Sequence, residues 1–240
     1  MTVAYQIKEA DTQLSRTIIE RRPLGPRDVR IDLKFCGICH SDLVAASDKL
    51  GGGIFPMVPG HEMVGTISEI GTEVEGFAVG DAVGVGCIAD SCRTCHSCNM
   101  GDEHYCEEGF TLSFNSRDRE GRVNYGGYSS DYVVDYDYLV PIPTGADLAK
   151  MAPLLCGGIT VYTPLKRFNV GPGTTLCVLG MGGLGHLAIQ FARAMGARVI
   201  VASRSKSKRS DARRLGAEEA LDPDSDDLAV SYTHLTLPTM

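Results

Sequence analysis

The stretch T-T-L-C-V-L-G-M-G-G-L-G-H, residues 174–186, decides how the second half of this chain folds. It begins with a short apolar run, passes through a glycine turn at 180–185, and leads into a segment at 183–195 that is apolar at helical spacing. A second apolar run follows at 198–202, and a helical pattern at 208–215 ends at a glycine. Strand, glycine turn, helix and strand in this order predict the opening of a doubly wound parallel sheet.

The glycine turn predicts a dinucleotide site, because it fits G-x-G-x-x-G between a buried strand and a helix. Gly180 permits the tight turn, Gly182 lets the backbone approach a pyrophosphate, and Gly185 allows the helix to pack closely on the strand. Backbone amides at the start of the helix, those of Gly183 and Leu184 among them, would face the phosphates. A glycine-rich turn without a ligand is the alternative.

The end of the next strand predicts which nicotinamide cofactor is bound. An NAD enzyme would place an acid there, about 20 residues after the turn, whereas residues 202–209 read A-S-R-S-K-S-K-R. Hydroxyl groups and cationic side chains bind a 2′-phosphate well. NADP(H) is therefore predicted, held by Ser203, Arg204, Ser205 and Lys208. A solvated basic loop is the alternative.

The first 140 residues follow a different pattern, in which short β-rich runs alternate with glycine, proline and aspartate. This pattern predicts an irregular all-β barrel with inserted loops. The predicted strands are Val29–Phe35, Val64–Ile70, Ala82–Cys87 and Tyr132–Pro141. With a helix predicted at Ala149–Thr163, the domains are placed at 1–147 and 148–229, and the fold class is α/β plus β.

Composition excludes several classes of function. The net charge of −7 favours neither nucleic acid nor an anionic membrane as a partner. No apolar run approaches the roughly 20 residues that span a bilayer, and residues 1–10 do not resemble a secretory signal. We therefore expect a cytoplasmic protein, in which the nine cysteines bind metal or act in catalysis rather than form disulfides.

Four of these cysteines, Cys92, Cys95, Cys98 and Cys106, fall within a polar lobe at about 90–108. Zn²⁺ takes four ligands at tetrahedral corners, and two-residue spacings let neighbouring sulfurs reach one ion. A closed set of four thiolates leaves no place for substrate, so the predicted role is structural. Four unliganded cysteines or an iron–sulfur cluster are the alternatives, and the two histidines of the lobe are taken as surface residues.

A second metal site is suggested by Cys39, His61 and Cys156, which would offer two sulfurs and an imidazole with one position open. Spacing alone does not select these three, because scattered cysteines and histidines usually pack in cores. Cys36, Cys87 and Cys177 are expected to be buried small hydrophobes of this kind. Cys36 also stands in C-x-x-C spacing that a redox pair would have.

Five further strings are informative when they are taken together: C-G-I-C-H-S-D at 36–42, G-H-E at 60–62, Y-G-G-Y at 125–128, P-L-L-C-G-G-I-T-V-Y-T-P at 153–164 and G-M-G-G-L-G-H at 180–186. Together with the four-cysteine string they resemble the zinc-containing medium-chain dehydrogenases. The resemblance is collinear from about Pro23 to Leu221 and is greatest to the cinnamyl alcohol dehydrogenases and the bacterial broad-specificity NADP-dependent aldehyde reductases. It implies a GroES-like irregular β-barrel catalytic domain followed by an incomplete Rossmann-type nucleotide-binding domain.

The resemblance also implies the residues of the site. Cys39, His61 and Cys156 would bind a catalytic zinc, so the chain would hold two zinc ions. Glu62 would be a transient fourth ligand, and Asp42 would orient His61.

Three further roles follow from the same resemblance. Ser41 would hydrogen-bond the substrate oxygen and begin a proton relay, His40 would lie near the cofactor phosphates, and Thr160 would contact the cofactor. Many relatives carry a histidine five residues after the first zinc cysteine, where this chain has Val44. Either the proton leaves through the cofactor ribose and water, or His40 substitutes, so no terminal base is assigned.

The implied function is hydride transfer between NADP(H) and a primary alcohol or aldehyde, aromatic or of broad range, in a protein that is a homodimer at full length. A polyol dehydrogenase, a zinc-less quinone reductase and a non-catalytic zinc-stabilised remnant are the alternatives. The run Val230–Thr239 resembles a translated transposon-end sequencing adapter. Native sequence is therefore expected to stop near Ala229 and the true protein to continue; a genuine tail at 230–240 is the alternative.

Overall fold

The computed structural model describes residues 1–224, which divide into two compact units. The first unit comprises residues 1–156, and the second begins at Gly157. The expected adapter-derived tail, Val230–Thr239, lies outside the described residues. Within residues 1–224 every helix is too short or too polar to cross a membrane.

The first unit consists mainly of β-structure. Its strands are β1 (Thr2–Gln6), β2 (Ser15–Ile19), β3 (Asp28–Cys36), β4 (Met63–Ile70), β5 (Ala82–Val85), β6 (Ile88–Asp90), β7 (Thr111–Leu112), β8 (Ser116–Arg117), β9 (Val123–Asn124), β10 (Asp131–Asp135) and β11 (Val140–Pro141). An antiparallel sheet of five strands has the order β10-β3-β4-β5-β11, and three two-stranded sheets pair β1 with β2, β6 with β7 and β8 with β9. The all-β prediction for this region is confirmed.

The core of this unit follows from alternation along the central strands. In β3, Val29 and Ile31 are fully buried, and so are Met63, Val83 and Val85 on the neighbouring strands. The register between β3 and β4 shifts after Arg30 and again after Leu33, and such bulges bend a strand locally. The bent end of β3 leads to Cys39, the first cysteine of the predicted second metal site, and then into α1.

Short helices connect these strands: α1 (His40–Ala46), α2 (His96–Asn99) and α3 (Leu148–Met151), with 3-10 turns at Glu103–Tyr105, Tyr136–Tyr138 and Ala152–Leu155. The strand predicted over 132–141 is wrong in its middle, where Asp135 accepts a hydrogen bond from the Asp137 amide and begins one of these turns. The strand predicted over 82–87 ends two residues early, at Val85.

The single helix predicted over Ala149–Thr163 is also wrong, because the chain breaks at Cys156 (φ −124°, ψ −70°) between α3 with its 3-10 turn and α4 (Gly157–Arg167). Pro153 lacks the amide that a continuing α-helix requires. The segment up to Leu155 packs on β3, β4 and β5. Cys156 therefore belongs to the first unit rather than to the nucleotide-binding fold.

The second unit contains β12 (Thr175–Leu179), α5 (Gly183–Ala194), β13 (Arg198–Ala202), α6 (Lys206–Arg214) and β14 (Glu219–Leu221) after α4. The strands form a parallel sheet in the order β12-β13-β14. Ile189 and Ala192 of α5 and Ala212 of α6 are fully buried against this sheet with Val199 and Val201. The predicted opening of a doubly wound sheet is confirmed.

Candidate active site and metal centres

Four possible metal ligands from three separate segments of the first unit converge on one point. Ligand atoms of Cys39, His61, Glu62 and Cys156 all lie within 4.8 Å of one another. The two sulfurs are 4.0 Å apart, close to the roughly 3.8 Å expected for two thiolates on one tetrahedral zinc with bonds of about 2.3 Å. Two sulfurs, an imidazole and a carboxylate are a donor set that fits Zn²⁺.

The local fold places each ligand. Cys39 precedes α1 at the end of β3, and Cys156 stands at the break before α4. His61 and Glu62 immediately precede β4 and are 3% and 4% exposed, so both are held in the interior of the first unit. Gly37 donates its amide to the Glu62 carbonyl (2.9 Å), and a Cβ at Gly37 would come within 1.9 Å of the Glu62 carboxylate oxygen. Gly37 thus leaves the space that the carboxylate occupies.

Asp42 connects the ligands. Its carboxylate, 2% exposed, accepts hydrogen bonds from the amides of Cys39 (2.9 Å) and Gly60 (3.0 Å) and from the Tyr128 hydroxyl (3.1 Å). The same carboxylate contacts His61 Nδ1 at 3.0 Å, which leaves Nε2 for a metal. Burial alone would raise the pKa of Asp42, but the hydrogen bonds from His61 and the amides hold it below its usual value.

We expect Asp42→Asn to weaken zinc binding at this group by about 10- to 100-fold. The side-chain NH₂ of an asparagine would face groups that now donate hydrogen bonds to the carboxylate, and the negative charge that holds His61 would be lost. Competition with a chromogenic chelator measures the affinity. Asp28→Asn is the matched control, since Asp28 is also buried and also accepts an amide hydrogen bond, but at Gly25. Equal weakening in both variants would contradict the assignment.

A cavity of about 560 Å³ in the first unit adjoins this group and is lined by His40, Ser41, Val44, Ala45, Asp48, Leu50, Gly51, His61, Cys87, Leu112, Phe114, Asn115 and Cys156. Phe114 stacks on His61 with ring centroids 5.5 Å apart. Ser41 Oγ lies 3.6 Å from Cys39 Sγ, and His40 is exposed. The structure thus brings together the residues predicted for the second metal site and places Val44 in the cavity wall.

Two residues of this region had no predicted role in the site. Cys87, expected to be a buried hydrophobe, lines the cavity, and a hydrogen bond to Cys156 lowers its pKa. Tyr128 belongs to the Y-G-G-Y string, but nothing in the sequence linked it to Asp42.

Burial raises the pKa of Cys36 to about 12 and also raises that of Cys177, which keeps both thiols protonated.

The four cysteines of the polar lobe form the other possible metal site, with their sulfurs within 4.8 Å of one another. Backbone amides point at the sulfurs: that of Cys95 at Cys92, that of Cys98 at Cys95 and that of Cys92 at Cys106, at 3.3–3.5 Å. Hydrogen bonds from the Thr94 and Cys95 amides lower the pKa of Cys92 to about 6. Amide donors thus favour the thiolate at Cys92, which is the state that binds Zn²⁺. The Ser91 hydroxyl lowers the pKa of Cys98, but burial and the sulfurs of Cys95 and Cys106 raise it overall to about 11.

The glycine turn of the second unit has the predicted geometry. Gly180 has φ +85°, which favours glycine, and a Cβ at Gly185 would lie 2.3 Å from the Gly180 carbonyl oxygen. Added Cβ atoms at Gly182 and Gly183 would meet open space, and α5 begins at Gly183 with Leu184 following. The free amides of this helix start are available to an anion.

The predicted 2′-phosphate contacts follow β13. Ser203 is buried, and Ser205 caps α6 by accepting a hydrogen bond from the Lys208 amide. The side chains of Arg204 and Lys208 are exposed, and neither forms a hydrogen bond or ion pair within residues 1–224. Thr160 is exposed on α4, where Pro164 cannot donate to its carbonyl.

Comparison with known proteins places this arrangement in a family. Residues 25–144, half of the chain, match the alcohol dehydrogenase GroES-like domain, and residues 183–237 match the zinc-binding dehydrogenase domain. An NADP-dependent alcohol dehydrogenase C from Mycolicibacterium smegmatis is 46% identical over 99% of the chain and 69% of its own length. The chain belongs to the zinc-binding medium-chain alcohol dehydrogenases.

Within this family the chain is similar to the cinnamyl alcohol dehydrogenase group, as the sequence predicted. The cinnamyl alcohol dehydrogenase of Helicobacter pylori complexed with NADP(H) has a TM-score of 0.88 at 41% identity, covering 91% of this chain and 63% of that one. The Sorghum bicolor enzyme has a TM-score of 0.91 at 41% identity, over 97% and 67%. A probable formaldehyde dehydrogenase of Bacillus subtilis is 52% identical over 90% of the chain. The chain spans 62% of the length of that relative.

Proposed function

We propose that this protein is an NADP(H)-dependent zinc alcohol dehydrogenase or aldehyde reductase (EC 1.1.1.-) that transfers hydride between the cofactor and a primary alcohol or aldehyde. One observation carries the proposal: two thiols, an imidazole and a carboxylate converge at the wall of a largely apolar cavity. Such a cavity with a few convergent polar groups is typical of a small-molecule site.

Cys39, His61 and Cys156 would hold the zinc, which supplies a Lewis acid, while NADPH supplies the hydride. Asp42 keeps the His61 tautomer and orientation that a metal requires. Glu62 stays beside the ligands, with a carboxylate oxygen within 4.8 Å of their donor atoms. Its carboxylate is therefore able to replace one ligand transiently.

Ser41 is the residue we assign to proton transfer. Its hydroxyl lines the cavity next to Cys39 and would donate its proton to the substrate oxygen as that oxygen gains charge. Val44 offers no acceptor for a longer relay. Ser41 would be reprotonated either through the cofactor ribose and water or by His40, which is exposed at the same helix start, and no terminal base is assigned.

For the second unit we propose that Gly180, Gly182, Gly183, Leu184 and Gly185 hold the pyrophosphate, that Thr160 contacts the cofactor, and that Ser203, Arg204, Ser205 and Lys208 bind the 2′-phosphate. We expect Arg204→Ala to lose about 10- to 100-fold in kcat/KM for NADPH and little for NADH, because only NADPH carries the phosphate that this charge would bind. Steady-state kinetics with both cofactors measure the change.

Lys206→Ala is the matched control, since Lys206 is another exposed cation of the same basic run. A solvated basic loop without a specific role predicts small and equal effects for Arg204 and Lys206. Efficient turnover with NADH in the parent chain would itself contradict the choice of cofactor.

The cavity lining favours an apolar or aromatic aldehyde over a polyol, because Val44, Leu50, Leu112 and Phe114 face it. The relatives include a probable mannitol dehydrogenase from Mesembryanthemum crystallinum, 45% identical over 89% of the chain, so a panel of substrates has to decide. Oxidation of NADPH with an aromatic aldehyde, an aliphatic aldehyde and a ketose tests the proposal. Turnover of the ketose alone would favour a polyol dehydrogenase.

A zinc-less quinone reductase and a non-catalytic remnant are both disfavoured by the ligand set. A Pseudomonas syringae quinone oxidoreductase is 26% identical with a TM-score of 0.75, lower on both measures than the cinnamyl alcohol dehydrogenases. A purely structural remnant would not need a second group of metal ligands beside a cavity. None of the nine cysteines, which all lie within residues 1–224, forms a disulfide. We propose the cytoplasm as the compartment and a homodimer for the full-length protein.

A further inference from the structure

Arg21 is a buried cation whose hydrogen bonds all lead to one segment of the first unit. Its side chain is 7% exposed. Its guanidinium donates to the carbonyl oxygens of Tyr125, Gly126 (3.0 Å) and Asp131 (2.8 Å) and to the Ser129 hydroxyl (2.6 Å). The segment 125–131, which includes the Y-G-G-Y string, is therefore wrapped around a single side chain.

The same segment is paired with the residues that lead into the metal group. The amides of Gly126, Tyr128 and Gly127 donate to the carbonyls of residues 58, 59 and 60 at 2.7, 2.9 and 2.8 Å. A Cβ at Gly126 would lie 2.5 Å from the carbonyl oxygens of residues 59 and 60. The two backbones are thus in direct contact immediately before His61.

The segment also supplies a side chain to the site. Tyr128 donates its hydroxyl to Asp42, which holds His61 and the Cys39 amide. Arg21 itself contacts no possible ligand among the described residues. Its guanidinium lies 4.9 Å from the ring centroid of Tyr132, next to the segment. The Nη1 and Nη2 groups of its planar fork donate to several acceptors at once, while Nε has no hydrogen-bond partner among residues 1–224.

We propose that Arg21 is a positioning residue for the Cys39–His61–Cys156 metal group, acting through the 125–131 segment and the Tyr128 hydroxyl. Arg21 fixes the carbonyls of the segment, the segment fixes the backbone before His61, and Tyr128 fixes Asp42. A lysine at position 21 would keep the charge but would reach fewer acceptors. The proposal rests on this group being a zinc site.

The test is the rate at which each zinc ion transfers to a chromogenic chelator from the zinc-loaded 240-residue chain. Variants that remove a cysteine from either group assign the two kinetic phases. Arg21→Lys should accelerate release from the Cys39–His61–Cys156 group about tenfold and leave release from the four-cysteine lobe unchanged. Arg22→Lys is the matched control, because Arg22 pairs with the buried Asp28 and does not contact the 125–131 segment.

A purely structural role for Arg21 predicts a lower melting temperature with both phases unchanged or both accelerated alike, and either result would overturn the proposal. In the double variant Arg21→Lys/Tyr128→Phe, release should be about as fast as in the faster single variant. Effects that multiply would overturn the route through Tyr128. If Arg21→Lys does not fold, Ser129→Ala removes one acceptor of the guanidinium, and its two phases are read in the same way.

This experiment also separates the two proposals. If the parent chain binds only one zinc ion, both the proposed function and this inference are contradicted. A parent chain that binds two, with a site-independent effect of Arg21→Lys, removes only the inference.

Discussion

A Cys156→Ser variant of the full-length protein is expected to bind one zinc ion where its parent binds two, and to carry out the proposed aldehyde reduction about 10³-fold more slowly. Cys156 contributes one of two sulfurs that lie 4.0 Å apart beside the cavity. A serine hydroxyl is a poor zinc ligand, so the remaining thiol and imidazole would release the ion. Without a Lewis acid the reaction loses several kcal/mol of stabilisation for the charge that develops on oxygen.

Metal analysis per chain and NADPH oxidation measure these two effects. Cys177→Ser is the matched control, because Cys177 lies on β12, outside both convergent groups. This control should keep two zinc ions and full turnover. Two zinc ions in Cys156→Ser with unchanged turnover would remove Cys156 from the site and with it the proposed function.

The second large effect is expected in the four-cysteine lobe, where Cys98→Ala should remove the other zinc ion and destabilise the chain by about 5 kcal/mol. Cys98 is buried, and the short α2 and its 3-10 turn bury few apolar residues of their own. We therefore expect a bound metal to be the main source of order there. For a chain of this size the loss corresponds to a melting temperature lower by roughly 10–20 °C.

Thermal unfolding and limited proteolysis measure this change, and new cleavage between residues 91 and 109 is the expected signature. His96→Ala serves as the control, because His96 lies in the same lobe but is exposed and outside the ligand group. An unchanged melting temperature in Cys98→Ala would show that ion pairs such as Arg93 with Asp135 and Arg119 with Asp90 hold the lobe without metal.

Features encoded in short stretches of sequence were predictable. The glycine turn and its flanking strands lie within 30 residues, and the four cysteines span 15 residues. In both cases the spacing of the residues along the chain is enough to predict how they are arranged in space. The parallel order of β12 and β13 and the convergence of the four sulfurs needed no information from distant parts of the chain.

The second metal group was not predictable from spacing, because Cys39 and Cys156 are 117 residues apart. Only the resemblance to a family selected them. The contacts of Arg21 and Tyr128 were not predictable for the same reason, because their partners lie far away in the sequence. No pattern of neighbouring residues marks an arginine or a tyrosine that makes such contacts. The break at Cys156 was missed because helical spacing of apolar residues outweighed Pro153 and the two following glycines.

The missing side chain at Gly37 has a consequence for how this family can vary. Because the Glu62 carboxylate fills the space where a Cβ would stand, the two positions are not free to change independently. An alanine at 37 would push the Glu62 carboxylate out of its place beside the metal ligands unless 62 carried a shorter side chain. Relatives without a carboxylate at position 62 should therefore tolerate a larger residue at position 37, and positions 37 and 62 should covary.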